Sequence, residues 1–179
     1  QKEPEMSLAS VNNLIDNVLN VAEKQYRKEK IEIIRELDPG IPHTMMDAHQ
    51  MEQVIINITN NAVFAMKESA ESADRIGIPR RGALTVGSHF HQDKGCIEIF
   101  IQDTGKGIQQ NDLGKIFDPF FTRRKDGKGT GLGLSISYGI VKMHDGNIEV
   151  DSTVGKGTTF RIYLPLKTKK EPELGSVKL

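Results

Sequence analysis

Residues 127–134 of this 179-residue chain read Gly127-Lys128-Gly129-Thr130-Gly131-Leu132-Gly133-Leu134 and lead into an apolar segment with helical spacing. Alternate glycines leave backbone N–H groups uncovered, and the start of a helix favours negative charge, so the stretch predicts an anion-binding cradle. A P-loop needs Ser or Thr directly after Gly-Lys, and a Rossmann fingerprint needs G-x-G-x-x-G after a strand. Neither pattern is present. A flexible linker is disfavoured because Leu132 and Leu134 should pack in the core.

Four cations lie beside this cradle within six residues. They are Arg123, Arg124, Lys125 and Lys128. Next to a phosphate site they would offset the charge of a triphosphate. In another setting the same run would be a solvated face.

Two asparagines share one face of a helix that is predicted earlier in the chain. The helix begins at Asp47, with Gln50 placed three residues later in a capping-box arrangement. Asn57 and Asn61 are four residues apart, so their amides lie side by side. Two carbonyl oxygens can bind Mg²⁺ together with phosphates and waters. The alternative interpretation is a solvated polar face that also includes Asn60.

Segment 103–107 reads Asp-Thr-Gly-Lys-Gly and follows a strand pattern over residues 97–102. A carboxylate fixed at the end of this strand, Asp103, can accept a hydrogen bond from the exocyclic amine of adenine. Guanine presents a carbonyl at that point, so the site would discriminate between the two bases. Gly105 and Gly107 would let the backbone approach a flat ring. Taken alone, the segment also fits a simple Asp-Gly turn.

The rest of the chain mixes helix and strand patterns. A helix capped by Ser7 opens the sequence, the helix from Asp47 should end near Glu68, and residues 69–82 indicate a long loop. Strand patterns occur at residues 30–36, 84–90, 97–102, 148–151 and 159–164, and a helical pattern occurs at 134–143. These elements predict an α+β sandwich in which helices cover one face of a mixed sheet.

Five segments, taken in order, resemble the Bergerat-fold ATPase and kinase group, and within it the catalytic domain of sensor histidine kinases. They are the N box at 53–62, the G1 box at 103–107, the F box at 117–121, the G2 box at 129–134 and the closing hairpin at 155–165. The resemblance runs from about Ser7 to Pro165. It implies a two-layer α/β sandwich with a mixed, mostly antiparallel sheet and helices packed on one face.

The resemblance also implies an ATP site that uses Mg²⁺. Asn61 would be the principal metal ligand, with Asn57 supporting it, and Asp103 would bind adenine with help from Thr158. Asn57 and Arg124 would be the catalytic residues, with Arg124 reaching the phosphates. Further contacts to the nucleotide would come from Gly105, Gly107, Lys128, Gly129, Gly131, Leu132, Gly133 and Leu134.

Two positions depart from the family pattern. Arg124 stands in the segment expected to be the ATP lid, about residues 112–129, where relatives with a similar lid carry Lys. Arg should serve there, although its planar fork differs from a point charge. Asp145 follows His144 where Gly is usual. We expect that change to have little effect.

The resemblance favours a kinase over an ATPase. Hydrolytic relatives such as DNA gyrase carry a general-base Glu at the position of Asn57, and Asn cannot take a proton. None of the five histidines lies in the expected acceptor motif. The implied reaction is therefore transfer of the γ-phosphoryl of ATP to a histidine on a separate domain upstream of Gln1, with little turnover by this chain alone. The alternatives are an ATPase of the same fold, a nucleotide-sensing scaffold and an anti-sigma-type serine kinase.

Composition limits the other possibilities. Lys plus Arg and Asp plus Glu are 24 each, so no basic field favours nucleic acid. The single cysteine, Cys96, is predicted to be a core thiol, and apolar stretches are too short to span a bilayer. A cytoplasmic module is expected, or the cytoplasmic part of a membrane-bound sensor.

The resemblance also suggests how the chain divides. Residues 1–29 would be a connector helix from a missing dimerisation and phosphoacceptor domain, 30–166 the catalytic domain, and 167–179 a disordered tail. The full-length protein would dimerise and act on a downstream response regulator, whereas this fragment would be monomeric.

Overall fold

The computed structural model describes residues 4–74, 81–124 and 129–168. The strands in these ranges are β1 Ser7–Ala9, β2 Ile31–Leu37, β3 Thr44–Met46, β4 Gly82–His91, β5 Cys96–Asp103, β6 Asn147–Thr153 and β7 Gly157–Pro165. The helices are α1 Val11–Lys28, α2 Ala48–Asp74, α3 Gln110–Leu113 and α4 Gly133–Met143. No helix in the described ranges is both long enough and apolar enough to cross a membrane.

Five strands form the main sheet in the order β2-β4-β5-β7-β6. The β2–β4 pair is parallel, and the other three neighbouring pairs are antiparallel. β1 and β3 form a separate antiparallel pair. The predicted α+β sandwich with a mixed, mostly antiparallel sheet is therefore confirmed.

One face of the sheet carries the core. Ile97, Ile99 and Ile101 point to that face from β5 and are buried. Ile55 and Ile58 of α2 are buried in the same cluster, and α1 and α4 also pack on it. Full burial of each such side chain contributes about 1.5–3 kcal/mol. The period-2 pattern of β5 and the helical stripe of α2 thus fix which faces meet.

The first helix starts later than predicted. Ser7 lies in β1 opposite Met46, so it cannot cap α1. Ser10 is the cap instead, and its hydroxyl accepts a hydrogen bond from the N–H of Asn13 at 3.3 Å. Ser7 and Ser10 both precede the apolar stripe of this helix, so the sequence pattern alone could not show which of them is the cap. The buried face of α1, which includes Leu14, belongs to the same core as the sheet.

The second helix is longer than predicted, because it continues past Glu68 to Asp74. Residues 69–74 are therefore helical and Gly82 begins β4, so the expected loop over 69–82 is wrong at both ends. Residues 75–80 lie outside the described residues. Ala and Glu in residues 69–74 favour helix even where no apolar stripe continues. The hydroxyl of Ser72 also donates to the carbonyl of Glu68 at 2.8 Å.

The start of α2 is tied to the end of α4 by a buried histidine. Asp47 accepts the N–H of Gln50 at 3.1 Å, which is the first half of the predicted capping box. The second half is absent, since the N–H of Asp47 donates to Nε2 of His144 at 2.9 Å. Nδ1 of His144 lies 2.8 Å from the carbonyl of Ile140. With both ring nitrogens engaged in the core, His144 has a structural role.

The chain after α4 turns sharply at Asp145. Its φ of 56° is in the left-handed region, which explains why glycine would also suit this position. Its carboxylate pairs with Lys167, whose carbonyl accepts the N–H of Met45 at 2.8 Å. The rest of the predicted tail, 169–179, lies outside the described residues. Cys96, at the start of β5, is half-buried rather than a core thiol.

Candidate functional site

A cleft of about 840 Å³ opens where α2, the segments after β5 and before α4, and β7 meet. Its volume is in the range typical of small-molecule sites. The predicted residues that line it are Asn57, Asn61, Asp103, Gly107, Arg124, Gly129, Gly131, Gly133, Leu134 and Thr158. Gly105 and Leu132 are outside this lining, and Lys128 lies outside the described residues. Residues 60 or more positions apart in the sequence are thus brought together.

Asp103 supplies a buried carboxylate in the wall of the cleft, with 5% of its surface exposed. One oxygen accepts the N–H of Gly105 at 2.7 Å. Burial raises the pKa of Asp103 to about 6, and backbone hydrogen bonds from Gly105 and Thr158 oppose that rise. The hydroxyl of Thr158 is itself 3.0 Å from the hydroxyl of Ser152. Asp103 is therefore a fixed acceptor whose protonation changes near neutral pH.

This pKa leads to a prediction for nucleoside binding. Above pH 6 the Asp103 carboxylate can accept the exocyclic N–H of adenine. Below it one oxygen becomes an O–H donor, and the oxygen that remains an acceptor is the one bonded to the Gly105 N–H. The affinity for adenosine is therefore expected to fall by up to about tenfold per pH unit below about pH 6. The measurement is the dissociation constant by NMR titration from pH 5 to 8.

Adenosine is the suitable probe because phosphates also titrate near pH 6. A thermal unfolding curve at each pH confirms that the fold persists. An affinity that stays constant from pH 8 to 5 would show that Asp103 does not accept a hydrogen bond from the base.

The loop after β5 lies directly against α2 at Gly105. A Cβ added there would stand 2.8 Å from the backbone carbon of Ala65 and 2.7 Å from the carboxylate of Asp103. The N–H of Lys106 also donates to the carbonyl of Ala65 at 3.3 Å. The glycine therefore lets the loop approach α2, and its N–H helps to hold the Asp103 carboxylate in place.

The two asparagines are held differently. The side-chain amide of Asn57 donates to the carbonyl of Gly133 at 3.1 Å and to the hydroxyl of Ser137 at 3.2 Å. Its nitrogen is thereby turned toward α4. Asn61 accepts a hydrogen bond from Arg124 at 3.1 Å. In the described ranges no group of three or more His, Cys, Asp or Glu residues could hold a metal. Two amide oxygens on one helix face fit Mg²⁺ that is bound mainly through phosphates.

The predicted cation run divides into separate roles. Arg123 makes a two-pronged contact with Asp112, at 3.0 and 2.7 Å, which lowers the pKa of that carboxyl. Arg124 instead donates to Asn61 inside the cleft. Lys125 and Lys128 lie outside the described residues. Both described arginines line the cleft, but Arg123 is paired with a carboxylate whereas Arg124 is held by an amide oxygen.

The start of α4 borders the same cleft. No side chain caps the helix at Leu132, and the N–H of Leu132 donates to the hydroxyl of Thr130 at 3.3 Å. Uncapped N–H groups at a helix start favour an anion, and glycines 129 and 131, just before this helix, line the cleft. The described part of the predicted cradle, residues 129–134, therefore borders the cleft, and its Gly133 carbonyl accepts a hydrogen bond from Asn57 of α2.

The sequence patterns did not identify Phe64 and Asp112 as residues of the site. The guanidinium of Arg124 lies 3.9 Å from the ring centroid of Phe64, and Asp112 holds Arg123. Phe64 comes three residues after Asn61, so helical spacing could have placed it on the same face. Its partner is 60 residues away in the chain, and the contact between them required the fold.

Comparison with known proteins gives a consistent picture. Residues 46–168 match the family model described as histidine kinase-, DNA gyrase B-, and HSP90-like ATPase. The chain is 46% identical over 120 residues to sensor kinase CckA of Brucella abortus (strain 2308), a match covering 66% of this chain and 13% of that protein. It is 34% identical over 166 residues to the sensory histidine kinase/phosphatase NtrB of Vibrio alginolyticus, covering 93% of this chain and 46% of that protein.

A solved structure agrees with these relatives. The catalytic domain of histidine kinase ThkA in a nucleotide-free form has a TM-score of 0.75 and 26% identity. The match covers 91% of this chain and 97% of that chain. The chain thus has nearly the extent of that isolated catalytic domain, whereas it spans less than half the length of the two curated relatives.

Proposed function

Because the chain belongs to the family of histidine kinase-, DNA gyrase B- and HSP90-like ATPases, we propose that it is the ATP-binding catalytic domain of a two-component sensor histidine kinase. It transfers the γ-phosphoryl of ATP to a histidine on a separate domain. The observation that carries the proposal is the buried Asp103 in a cleft that also contains Asn57, Asn61 and Arg124. The likeness to sensor kinases over most of the chain supports it.

The proposed roles follow from the contacts. Asp103 accepts a hydrogen bond from adenine, with Thr158 beside it, and the glycine segment before α4 faces the phosphates. Arg124 offsets their charge. Asn61 and Asn57 would hold Mg²⁺, which supplies further charge neutralisation on the phosphates when bound. The residues of this chain position the nucleotide and exclude other orientations of it.

Asn57 supports phosphoryl transfer over hydrolysis. Its amide nitrogen donates to Gly133 and Ser137, and an amide cannot take a proton from water. The described histidine closest to the core, His144, has both ring nitrogens engaged. None of the five histidines lies in the expected acceptor motif, so the phosphate acceptor is proposed to lie on another domain.

The proposed partners are that dimerisation and phosphoacceptor domain and a downstream response regulator. ThkA has been solved in complex with the response regulator TrrA, and that structure is 25% identical to this chain with a TM-score of 0.72. We also propose the division made from the sequence: a connector over 1–29, the catalytic domain over 30–166 and a tail from 167. Both the cytoplasmic location and the monomeric state of the chain alone remain part of the proposal.

A transfer assay in trans tests the function. The purified chain is mixed with the region of the full-length protein that carries the acceptor histidine, together with radiolabelled ATP and Mg²⁺. Labelled phosphohistidine is expected on the acceptor region. Asn61→Ala should reduce the rate of phosphoryl transfer about 100-fold or more. It removes a proposed ligand of the Mg²⁺ ion that neutralises charge on the phosphates.

Asn17→Ala is the matched control, since Asn17 is exposed on α1. It should transfer phosphate at the unmodified rate. Steady phosphate release without labelling of the acceptor would instead identify an ATPase.

A further inference from the structure

Phe64 holds two cations near its ring at the edge of the cleft. The guanidinium carbon of Arg124 lies 3.9 Å from the ring centroid, and the ammonium of Lys106 lies 5.9 Å from it. Cations within about 6 Å of an aromatic face are attracted by the ring quadrupole. At 3.9 Å Arg124 is in close stacking contact, whereas Lys106 is at the limit. Phe64 also lines the cleft.

The same guanidinium is held at a second point. Nη2 of Arg124 donates to Oδ1 of Asn61 at 3.1 Å, and Asn61 precedes Phe64 by three residues on α2. One turn of helix therefore presents a ring and an amide oxygen to a single arginine. The neighbouring Arg123 has no share in this arrangement, because Asp112 binds it.

We propose that Phe64 is a positioning residue for Arg124, which keeps this cation inside the cleft both before and after nucleotide binds. The inference rests on the proposed function. Before binding, Arg124 occupies the amide oxygen of Asn61. A guanidinium and Mg²⁺ would repel each other at that oxygen, so nucleotide binding moves Arg124 to the phosphates. The ring of Phe64 holds the arginine close by throughout this exchange, and it makes no contact with the phosphates itself.

A double-mutant cycle on ATP affinity tests the proposal. The four proteins are the unmodified chain, Phe64→Leu, Arg124→Ala and the double variant, titrated with ATP and Mg²⁺. With Arg124 present, Phe64→Leu is expected to raise the dissociation constant about 2- to 30-fold, the range of a cation–π contact. In the Arg124→Ala background the same change should have no effect, since the two residues act as one unit. Phe64→Tyr keeps the aromatic face and should restore the affinity.

A purely structural role for Phe64 predicts a different result. Phe64→Leu would then raise the dissociation constant equally in both backgrounds, and that additivity would overturn the proposal. Thermal unfolding of each variant shows whether the fold is retained.

A second measurement uses the unmodified chain. The side-chain Nε–H resonance of Arg124, assigned by its loss in Arg124→Ala, should be shifted upfield by the ring and should move when ATP and Mg²⁺ are added. A resonance at the position of a free arginine would overturn the proposal even if Phe64→Leu failed to fold. A chain that binds no ATP would refute the proposed function, while this resonance would still test the contact with Phe64.

Discussion

Asp103→Asn is expected to lower the affinity for ATP about 100-fold or more. Asp103 is buried at the end of β5, where its carboxylate accepts backbone N–H groups, and in the proposed function it also accepts the exocyclic N–H of adenine. An amide NH₂ in its place would turn a donor toward those N–H groups or toward the base. In the strongest cases, buried polar sites favour a ligand that pairs with them by about 10⁴–10⁵ over one that leaves them unpaired. A loss of ATP affinity of about 100-fold is therefore a conservative expectation.

Isothermal titration calorimetry with ATP and Mg²⁺ measures this effect. Asp93→Asn is the matched control, because Asp93 makes the same change of charge in the exposed turn between β4 and β5. It should bind ATP as the unmodified chain does. If Asp103→Asn bound ATP with unchanged affinity, the base would have to be recognised elsewhere.

Gly131→Ala should disrupt the glycine segment before α4, which we propose faces the phosphates. Gly131 has a φ of 68°, and an added Cβ would stand 2.4 Å from the carbonyl carbon of Phe120. The N–H of Phe120 donates to the carbonyl of Gly131 at 3.0 Å, so the two backbones cannot separate without losing that bond. The left-handed conformation alone costs a residue with a Cβ about 1–2 kcal/mol. We expect a melting temperature lower by roughly 5 °C and ATP affinity at least tenfold weaker.

Gly133→Ala provides the comparison for stability. Its added Cβ would meet nothing closer than 3.7 Å, the distance to the side-chain carbon of Asn57, and alanine favours the helix that begins there. Its melting temperature should be unchanged or slightly higher. Equal melting temperatures for the two variants in thermal unfolding would contradict the strain assigned to Gly131.

Local patterns predicted much of the fold, and contacts across the chain explain what they missed. The alternation in β5 and the stripe of α2 identified the core because burial imposes those periods. Ser7 was mistaken for a helix cap because its pairing with β3 depends on a strand nearly 40 residues away. Similarly, the expected partner for the N–H of Asp47 was Gln50, and the fold supplied His144.

The candidate site, like the fold, was predicted in part from local patterns, and the rest depends on contacts across the chain. Helical spacing and a strand end marked Asn57, Asn61 and Asp103 as candidates, and the family resemblance assigned their roles. All three line one cleft. The pairing of Arg123 with Asp112 and the stacking of Arg124 on Phe64 were not predicted. Adjacent arginines have the same local pattern. Both line the cleft, and their tertiary neighbours decide that Arg123 pairs with Asp112 while Arg124 stacks on Phe64.

Adenine recognition is tested most directly by calorimetric titration of the purified chain with ATP and with GTP, each in the presence of Mg²⁺. We expect ATP to bind at one site per chain and GTP to bind at least about 100-fold more weakly, since guanine would place a carbonyl against the Asp103 carboxylate. Equal affinities for the two nucleotides, or the absence of ATP binding, would contradict the assignment of this cleft.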